Sequence, residues 1–327
     1  MGTVTTIRSF ETAPTFAHAG EAWLVAHTVP GAWSPGTAVK YRQTLKALGA
    51  RLADTPAGAD VAVLDTPAGA ADLLESFTAA FSNLAAATRA RHLSSLRSAL
   101  SWWREPAGWI STDPTVGWVG AKVVVDTTRA LTRAQVEALF RLDVGLREKT
   151  LWRLLYESAA RAEEILTLDI ADLDLPSKRA RVISKGGKTE WVFWQTGAAQ
   201  LLPRLLAGRD RGPVFLTDRR AMRAVAGGDL DVGTGRARLS YRRAAELFAE
   251  HTRALAGPLQ RTDGFTMHQL RHSALTHAAE DGTNTPMLLA RSRHASIRSL
   301  ERYARPGPEA VAAHLAATDP AARRRPR

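Results

Sequence analysis

The chain has 327 residues, no cysteine and a formal net charge of +12, from 44 Lys and Arg against 32 Asp and Glu. The missing cysteines exclude a disulfide framework, a thiolate metal site and a cysteine nucleophile, and no apolar run approaches the ~20 residues needed to span a bilayer. The length suits about two domains, and the charge points to an acidic polymer as partner, of which nucleic acid is the commonest.

In chain order, the start "MGTVTTIRSF" has no basic stretch followed by an apolar one, so no secretory signal is read and the cytoplasm is the expected location. "PTFAHAGEAWLVAHTV" places Phe16, Ala19, Trp23 and Leu24 near helical spacing. "SPGTAVKYRQTLKALGARL" opens a second helix with Ser34 as cap and Pro35 at the first helical position. The hexapeptide "DTPAGA" occurs at 54–59 and again at 65–70; the second copy reads as a helix start with Thr66 as cap and Pro67 following. A further helix runs from about 88 to 104, stopped by Pro106 and Gly108. These four helices predict an all-α domain over 1–120, followed by a linker at 121–130.

Beyond the linker, Thr132 caps a helix ("LTRAQVEALFRL") and another spans 146–160. The clear strand signals follow. "ARVIS" and "TEWVFW" flank the turn "KGGK" at 185–188 and predict a hairpin, with "IADLDL" as a third strand. After Gly212–Pro213 the pattern returns to helices, including one over 235–255 carrying Arg238, Arg242 and Arg243 along one side. The predicted fold is therefore mainly α, with a mixed α+β second domain over 131–327 that holds a small antiparallel sheet.

Several side chains stand out chemically. Arg161 precedes Glu164 by three residues; Lys185 sits at the hairpin tip; His268 and Arg271 share a helix face at i, i+3. His294 follows, and Tyr303 comes nine residues later, one of only four tyrosines. His268 and His272 stand at i, i+4, but without an intervening glutamate or a third ligand no metal site is read from them. Carboxylate pairs for two-metal chemistry and Walker-type phosphate loops are not found in the sequence. What the set offers is cleavage of a phosphodiester without metal or cofactor. Two guanidiniums can grip the non-bridging oxygens, histidines can donate or move protons, a lysine can protonate the leaving oxygen and a phenol can attack.

In this order and context the residues resemble those of the tyrosine recombinases, the phage integrase family. The resemblance implies a helical N-terminal core-binding (SAM-like) domain and a catalytic domain with Arg161, Lys185, His268, Arg271 and His294 around the nucleophile Tyr303, and Glu164 in support. It also implies a site-specific recombinase that cuts and rejoins double-stranded DNA through a 3′-phosphotyrosine, needing neither metal nor ATP. Such an enzyme would act as a homo-tetramer on two DNA sites, with an accessory DNA-bending protein as a further partner and no membrane. Lys40, Arg42, Arg89 and Arg91 would form one DNA-gripping arm, and Arg238, Arg242 and Arg243 another. An additional N-terminal arm-binding domain is not expected. A type IB topoisomerase and a catalytically silent DNA-binding protein are the competing readings. Ser292 and Arg293 stand where the family usually has Leu-Gly, and Lys188 lies close enough to Lys185 to compete for its role.

Overall fold

The computed structural model describes residues 13–120, 130–183, 187–222, 225, 227–256, 264–294, 296–300 and 308–319. The chain divides into two compact units, Met1–Val125 and Asp126–Arg327.

The first unit is helical: α1 (Phe16–Thr28), α2 (Pro35–Leu52), α3 (Pro56–Ala59), α4 (Pro67–Phe81) and α5 (Ala86–Arg104). Two of its caps are those the sequence predicts. The Ser34 side chain accepts from Thr37 N with Pro35 following, and the Thr66 side chain accepts from Gly69 N before α4. The helices enclose a core of Phe16, Trp23, Leu48, Leu52, Leu73, Leu96 and Trp103, all at most 1% exposed. The Trp103 indole donates to Ala19 O at 3.0 Å, which pins α5 to α1.

The repeated hexapeptide performs one local task twice. In the first copy Thr55 Oγ1 donates to Leu52 O and accepts from Gly58 N. In the second, Thr66 Oγ1 donates to Val63 O and accepts from Gly69 N. Each glycine then lies against the carbonyl of the preceding turn: a Cβ on Gly58 would come within 1.9 Å of Leu52 O, and one on Gly69 within 2.1 Å of Val63 O. The sequence pattern shows only the second copy as a helix start, because the four-residue α3 is too short to carry apolar periodicity.

The second unit begins with α6 (Arg133–Arg141), capped by Thr132 and Gln135 in a capping box, then α7 (Leu146–Ser158) and the short α8 (Ala162–Leu166). The predicted hairpin is β2 (Arg179–Ile183) against β3 (Thr189–Phe193), antiparallel with Val182 opposite Glu190. Ala180, Val182 and Val192 point into the core while Arg181 and Phe193 face out, the alternation expected of a half-buried sheet. Of "IADLDL", only Leu173–Asp174 is a strand, β1, pairing with β2; Ile170–Asp172 before it is a 3₁₀ turn.

After α9 (Thr196–Leu206) the expected return to helices is corrected. A second three-stranded sheet intervenes, with β4 (Leu216–Arg220), β5 (Leu230–Asp231) and β6 (Arg236–Arg238) in the order β4-β6-β5. The helix expected over 235–255 therefore starts later, as α10 (Tyr241–Thr252), with Ser240 as its cap. Then come α11 (Met267–Glu280), α12 (Thr285–Ser292), α13 (Ile297–Leu300) and α14 (Pro308–Thr318). α7 packs against α9 and α11 at the centre of this unit, and Trp152 meets Phe248 edge to face at 5.2 Å. On α14, Val311 and Leu315 are 46% and 63% exposed.

The hexapeptide geometry sets up a paired test. Gly69→Ala is expected to destabilise the protein by about 1–3 kcal/mol, the scale of overpacking against an immobile group. Gly36→Ala, at a position on α2 with nothing within 4 Å of the added atom, is expected to stabilise it by roughly 0.4–1 kcal/mol. Urea unfolding followed by tryptophan fluorescence, to which the first unit contributes Trp23, Trp33, Trp102, Trp103, Trp109 and Trp118, checks both. Equal midpoints for the two variants would contradict the packing account.

Candidate active site

The site is built where three chain segments of the second unit converge. The first is the junction of α7 and α8. Helix α7 ends on Ala159, whose backbone is left-handed at φ 52° and whose side chain is buried. This turn carries the chain sharply into Arg161, the N-cap of α8. Glu164, at the third position of α8, reaches back so that its Oε2 accepts from Arg161 N at 2.9 Å and its Oε1 from Arg161 Nη1 at 2.8 Å. The carboxylate of a helix's first turn thus satisfies the backbone donor of its own cap and ties down the side chain of the same residue.

The second segment is the first turn of α11, which presents His268 and, one turn on, Arg271. Arg271 is 2% exposed. Its Nη1 donates to Ala159 O and its Nη2 to Ser292 O, both at 2.5 Å. These carbonyls terminate α7 and α12, where the helix dipole concentrates negative potential, so the buried cation is matched by two helix C-termini. The third segment is the end of α12. Arg293 caps that helix in the left-handed conformation, and His294 Nε2 then stands 3.4 Å from Arg271 Nη2.

Arg161, His268 and Arg271 line one cavity of about 220 Å³, together with Ala160, Glu163 and Tyr241. The structure therefore brings together four of the six residues singled out for chemistry, Arg161, His268, Arg271 and His294, with Glu164 behind Arg161. Lys185 and Tyr303 lie outside the described residues. The chain ahead of Tyr303 is anchored: Leu300 is fully buried against Leu275, Ala278 and Leu288 of α11 and α12.

Glu164 is the electrostatic hinge of this region. Burial by itself would raise its pKa. The Arg293 guanidinium, followed by the backbone and side chain of Arg161, outweighs burial and holds the carboxyl below its ordinary value. Arg293 and Glu164 are 4% and 6% exposed at their side chains and form a direct ion pair. In the sequence Arg293 stands out only as a departure from the family pattern. Its pairing with Glu164, 129 residues away, leaves no local signal. Tyr241 in the cavity wall was not foreseen either; the one cue is that it follows the capping serine of α10.

The arginines proposed to grip DNA are placed unevenly. Lys40 and Arg42 lie on α2, and Arg42 pairs with Glu21 at the surface at 3.1 Å. Arg89 and Arg91 lie on α5, where Arg89 donates to Ser82 O and Arg91 Nη2 approaches His92 Nε2 at 3.2 Å. Arg242 and Arg243 are on the first turn of α10, both near Glu246. Arg238 is a correction. It belongs to β6 rather than to that helix, its side chain is 15% exposed, and it is held by Asp169 at 2.8 Å and Asp229 at 2.6 Å and by the carbonyls of Leu166 and Leu168. Its task is to join the second sheet to the end of α8.

The family model described as the phage integrase family matches residues 129–309. The chain belongs to the phage integrase family. Among curated relatives, it is 28% identical to the tyrosine recombinase XerC of Mycobacterium tuberculosis over 80% of this chain and 85% of that one. It is also 28% identical to the tyrosine recombinase XerC of Corynebacterium efficiens, over 66% of each chain, just under two thirds of that relative's length. Two solved structures share the fold. One is a lambda integrase (75–356) dimer bound to a COC′ core site, with TM-score 0.68 and 16% identity over 90% of this chain and 96% of that one. The other is the Tn1549 transposon integrase in complex with transposon right end DNA, with TM-score 0.67 and 15% identity over 93% and 99%.

Removing the shared carboxylate is the direct test of this geometry. Glu164→Ala leaves Arg293 buried without its nearest carboxylate, with Glu190 at 3.5 Å remaining, and is expected to lower stability by about 3 kcal/mol. Because the folded pKa of Glu164 lies below its ordinary 4.5, the contribution is complete above that value and is lost as pH falls through the lower folded one. The gap between parent and variant in urea unfolding should be constant near neutral pH and should shrink as pH falls below 4.5 toward the lower folded value. A gap that widens on acidification would contradict the assignment.

Proposed function

We propose that this chain is a site-specific recombinase that breaks and rejoins double-stranded DNA through a covalent bond to Tyr303. The observation that carries the reading is the single cavity lined by Arg161, His268 and Arg271, with His294 beside Arg271, in a member of the phage integrase family. The XerC relatives are named tyrosine recombinases, and the structural neighbours are integrases in complex with DNA. Both favour a recombinase over a type IB topoisomerase or a silent DNA-binding protein.

The chemistry follows from the residue types. Arg161 and Arg271 hold the two non-bridging oxygens of the scissile phosphate and stabilise the charge that accumulates there in the pentacoordinate transition state. Arg271 is pre-positioned for this by its two backbone carbonyls, so little reorganisation accompanies the reaction. The Tyr303 oxygen attacks phosphorus, its proton passing to a neighbouring base, for which His268 and His294 are the candidates. The P–O5′ bond breaks, and Lys185 gives the leaving oxygen its proton. The 3′-phosphotyrosine conserves the energy of the broken ester, so a 5′-hydroxyl from another strand can reverse the step without ATP or a metal ion. Strand exchange between two sites then calls for four copies of the chain.

The two units have separate tasks in this reading. The second, 131–327, does the chemistry, and the first, 1–120, is a core-binding clamp that grips DNA through Lys40, Arg42, Arg89 and Arg91. Arg242 and Arg243 at the start of α10 supply a further contact, and Arg238 is left out because it is committed to Asp169 and Asp229. The enzyme acts on DNA in the cytoplasm.

A duplex nicked near the cleavage point, which traps the covalent product, tests the assignments. Arg161→Ala and Arg271→Ala are each expected to slow cleavage by about 10²–10³ while DNA binding persists. Lys185→Ala should recover with a 5′-thiol leaving group, because a thiolate needs no proton donor. Cleavage at the parent rate by Arg161→Ala would overturn the site; rescue of Lys188→Ala instead would move the acid to Lys188. Recombinant joining between two sites separates recombinase from topoisomerase.

A further inference from the structure

Arg293 holds a backbone conformation that favours glycine, at φ 54° and ψ 39°. A side chain persists in this region when its surroundings over-determine it, and such outliers gather at functional sites. Here the surroundings are specific. The side chain is 4% exposed, its Nη2 donates to Glu164 Oε2, and its Nε faces Glu190 Oε2 on β3 at 3.5 Å. Nη1 adds a contact to Arg291 O at 3.4 Å.

Glu164 is thereby divided between two cations. Arg161 N and Arg293 Nη2 occupy Oε2, while Arg161 Nη1 occupies Oε1 at 2.8 Å. A lone arginine facing a carboxylate closes on it as a fork, with two parallel bonds. That closure would draw a second Arg161 donor away from the cavity. The Arg161 side chain instead remains 42% exposed and lines the cavity wall.

We propose that Arg293 is a positioning residue for strand cleavage: by occupying Glu164 Oε2 it confines the Arg161 guanidinium to the other oxygen and keeps the rest of the Arg161 fork turned toward the scissile phosphate. This rests on the recombinase reading above. Among the described residues, the groups facing Glu164 are Arg161 from its own helix cap and Arg293 from the end of α12, with Glu190 of β3 behind Arg293. Arg293 acts through Arg161 and need not touch DNA.

The test uses the full chain and single-turnover cleavage of the nicked duplex. Arg293→Gly removes the cation from a backbone that suits glycine, and Arg161 still pairs with Glu164, so the protein is expected to fold with reduced stability and to bind DNA, yet to cleave roughly 10- to 100-fold more slowly, the scale of losing one charge-assisted hydrogen bond. The decisive variant is Arg293→Gly combined with Glu164→Gln. The amide no longer draws Arg161 into a charged fork, so the double variant should cleave several-fold faster than Arg293→Gly alone. A purely structural role predicts the opposite, a further loss. Arg293→Gln, with and without Glu164→Gln, repeats the comparison should the glycine variant misfold. Parent-rate cleavage by the Arg293 variants, or a slower double variant, overturns the proposal. Arg161→Ala in the same assay separates the two levels: if it cleaves normally, the active-site reading has failed, and if it is inactive while Arg293→Gly is normal, only the positioning role has failed.

Discussion

The second unit is organised around burying one guanidinium. Arg271 is almost completely removed from solvent, and a cation there is tolerable only if its donors are met by groups of opposite polarity. The chain meets it with the carbonyls of Ala159 and Ser292, each at the C-terminal end of a helix. Satisfying Arg271 therefore fixes where α7 must stop and where α12 must stop relative to α11. Both ends turn through left-handed residues, Ala159 and Arg293, and each turn leads into a polar side chain: Arg161 in the cavity wall after the first, His294 beside Arg271 after the second. The packing of Ala159 with Ala274, Leu275 and Ala278 of α11 and Leu288 of α12 holds the same three segments together.

A second layer of polar contacts surrounds this centre. Glu164 joins the start of α8 to the end of α12 through Arg161 and Arg293, and Arg293 reaches on to Glu190 of the hairpin. Glu157, near the end of α7, accepts from the backbone of Gln195 and Ala198 at the start of α9, and its own carbonyl accepts from Arg291 of α12. Tyr156 meets His277 of α11 at 2.8 Å. Most of these bonds join segments more than a hundred residues apart, so local distortion of one helix end is transmitted to the others. Removing one partner is costly because the other is left buried.

The sequence was most informative where structure is local. Caps such as Ser34, Thr66 and Thr132 were legible because each answers to residues within one turn. The β2–β3 hairpin was legible because Val182 and Val192 alternate with exposed residues around a glycine turn. The second sheet was not, since its strands are two to five residues long and contain "LTDRR" and "RAR", with hardly any β-branched or aromatic residues to mark them. The sequence pattern extends the α10 helix over Arg238 for the same reason, and its partners, Asp169 69 residues away and Asp229 nine residues away, are set by the fold of the sheet. The sequence order of Arg161, His268, Arg271 and His294 marks residues that the fold brings together, three of them lining one cavity and His294 beside Arg271. The role of Arg293 required coordinates, because its conformation and its carboxylate are both set by tertiary contacts.

The central claim is that this site exists to hold a DNA phosphate for attack by Tyr303. The most direct measurement is to trap the covalent product on a nicked duplex, digest protein and DNA, and locate the attached nucleotide by mass spectrometry. The account predicts a nucleotide 3′-phosphate on the peptide containing Tyr303, and no adduct from Tyr303→Phe. A nucleotide on Tyr41, Tyr156 or Tyr241, attachment through a 5′-phosphate, or an adduct that survives Tyr303→Phe would contradict it.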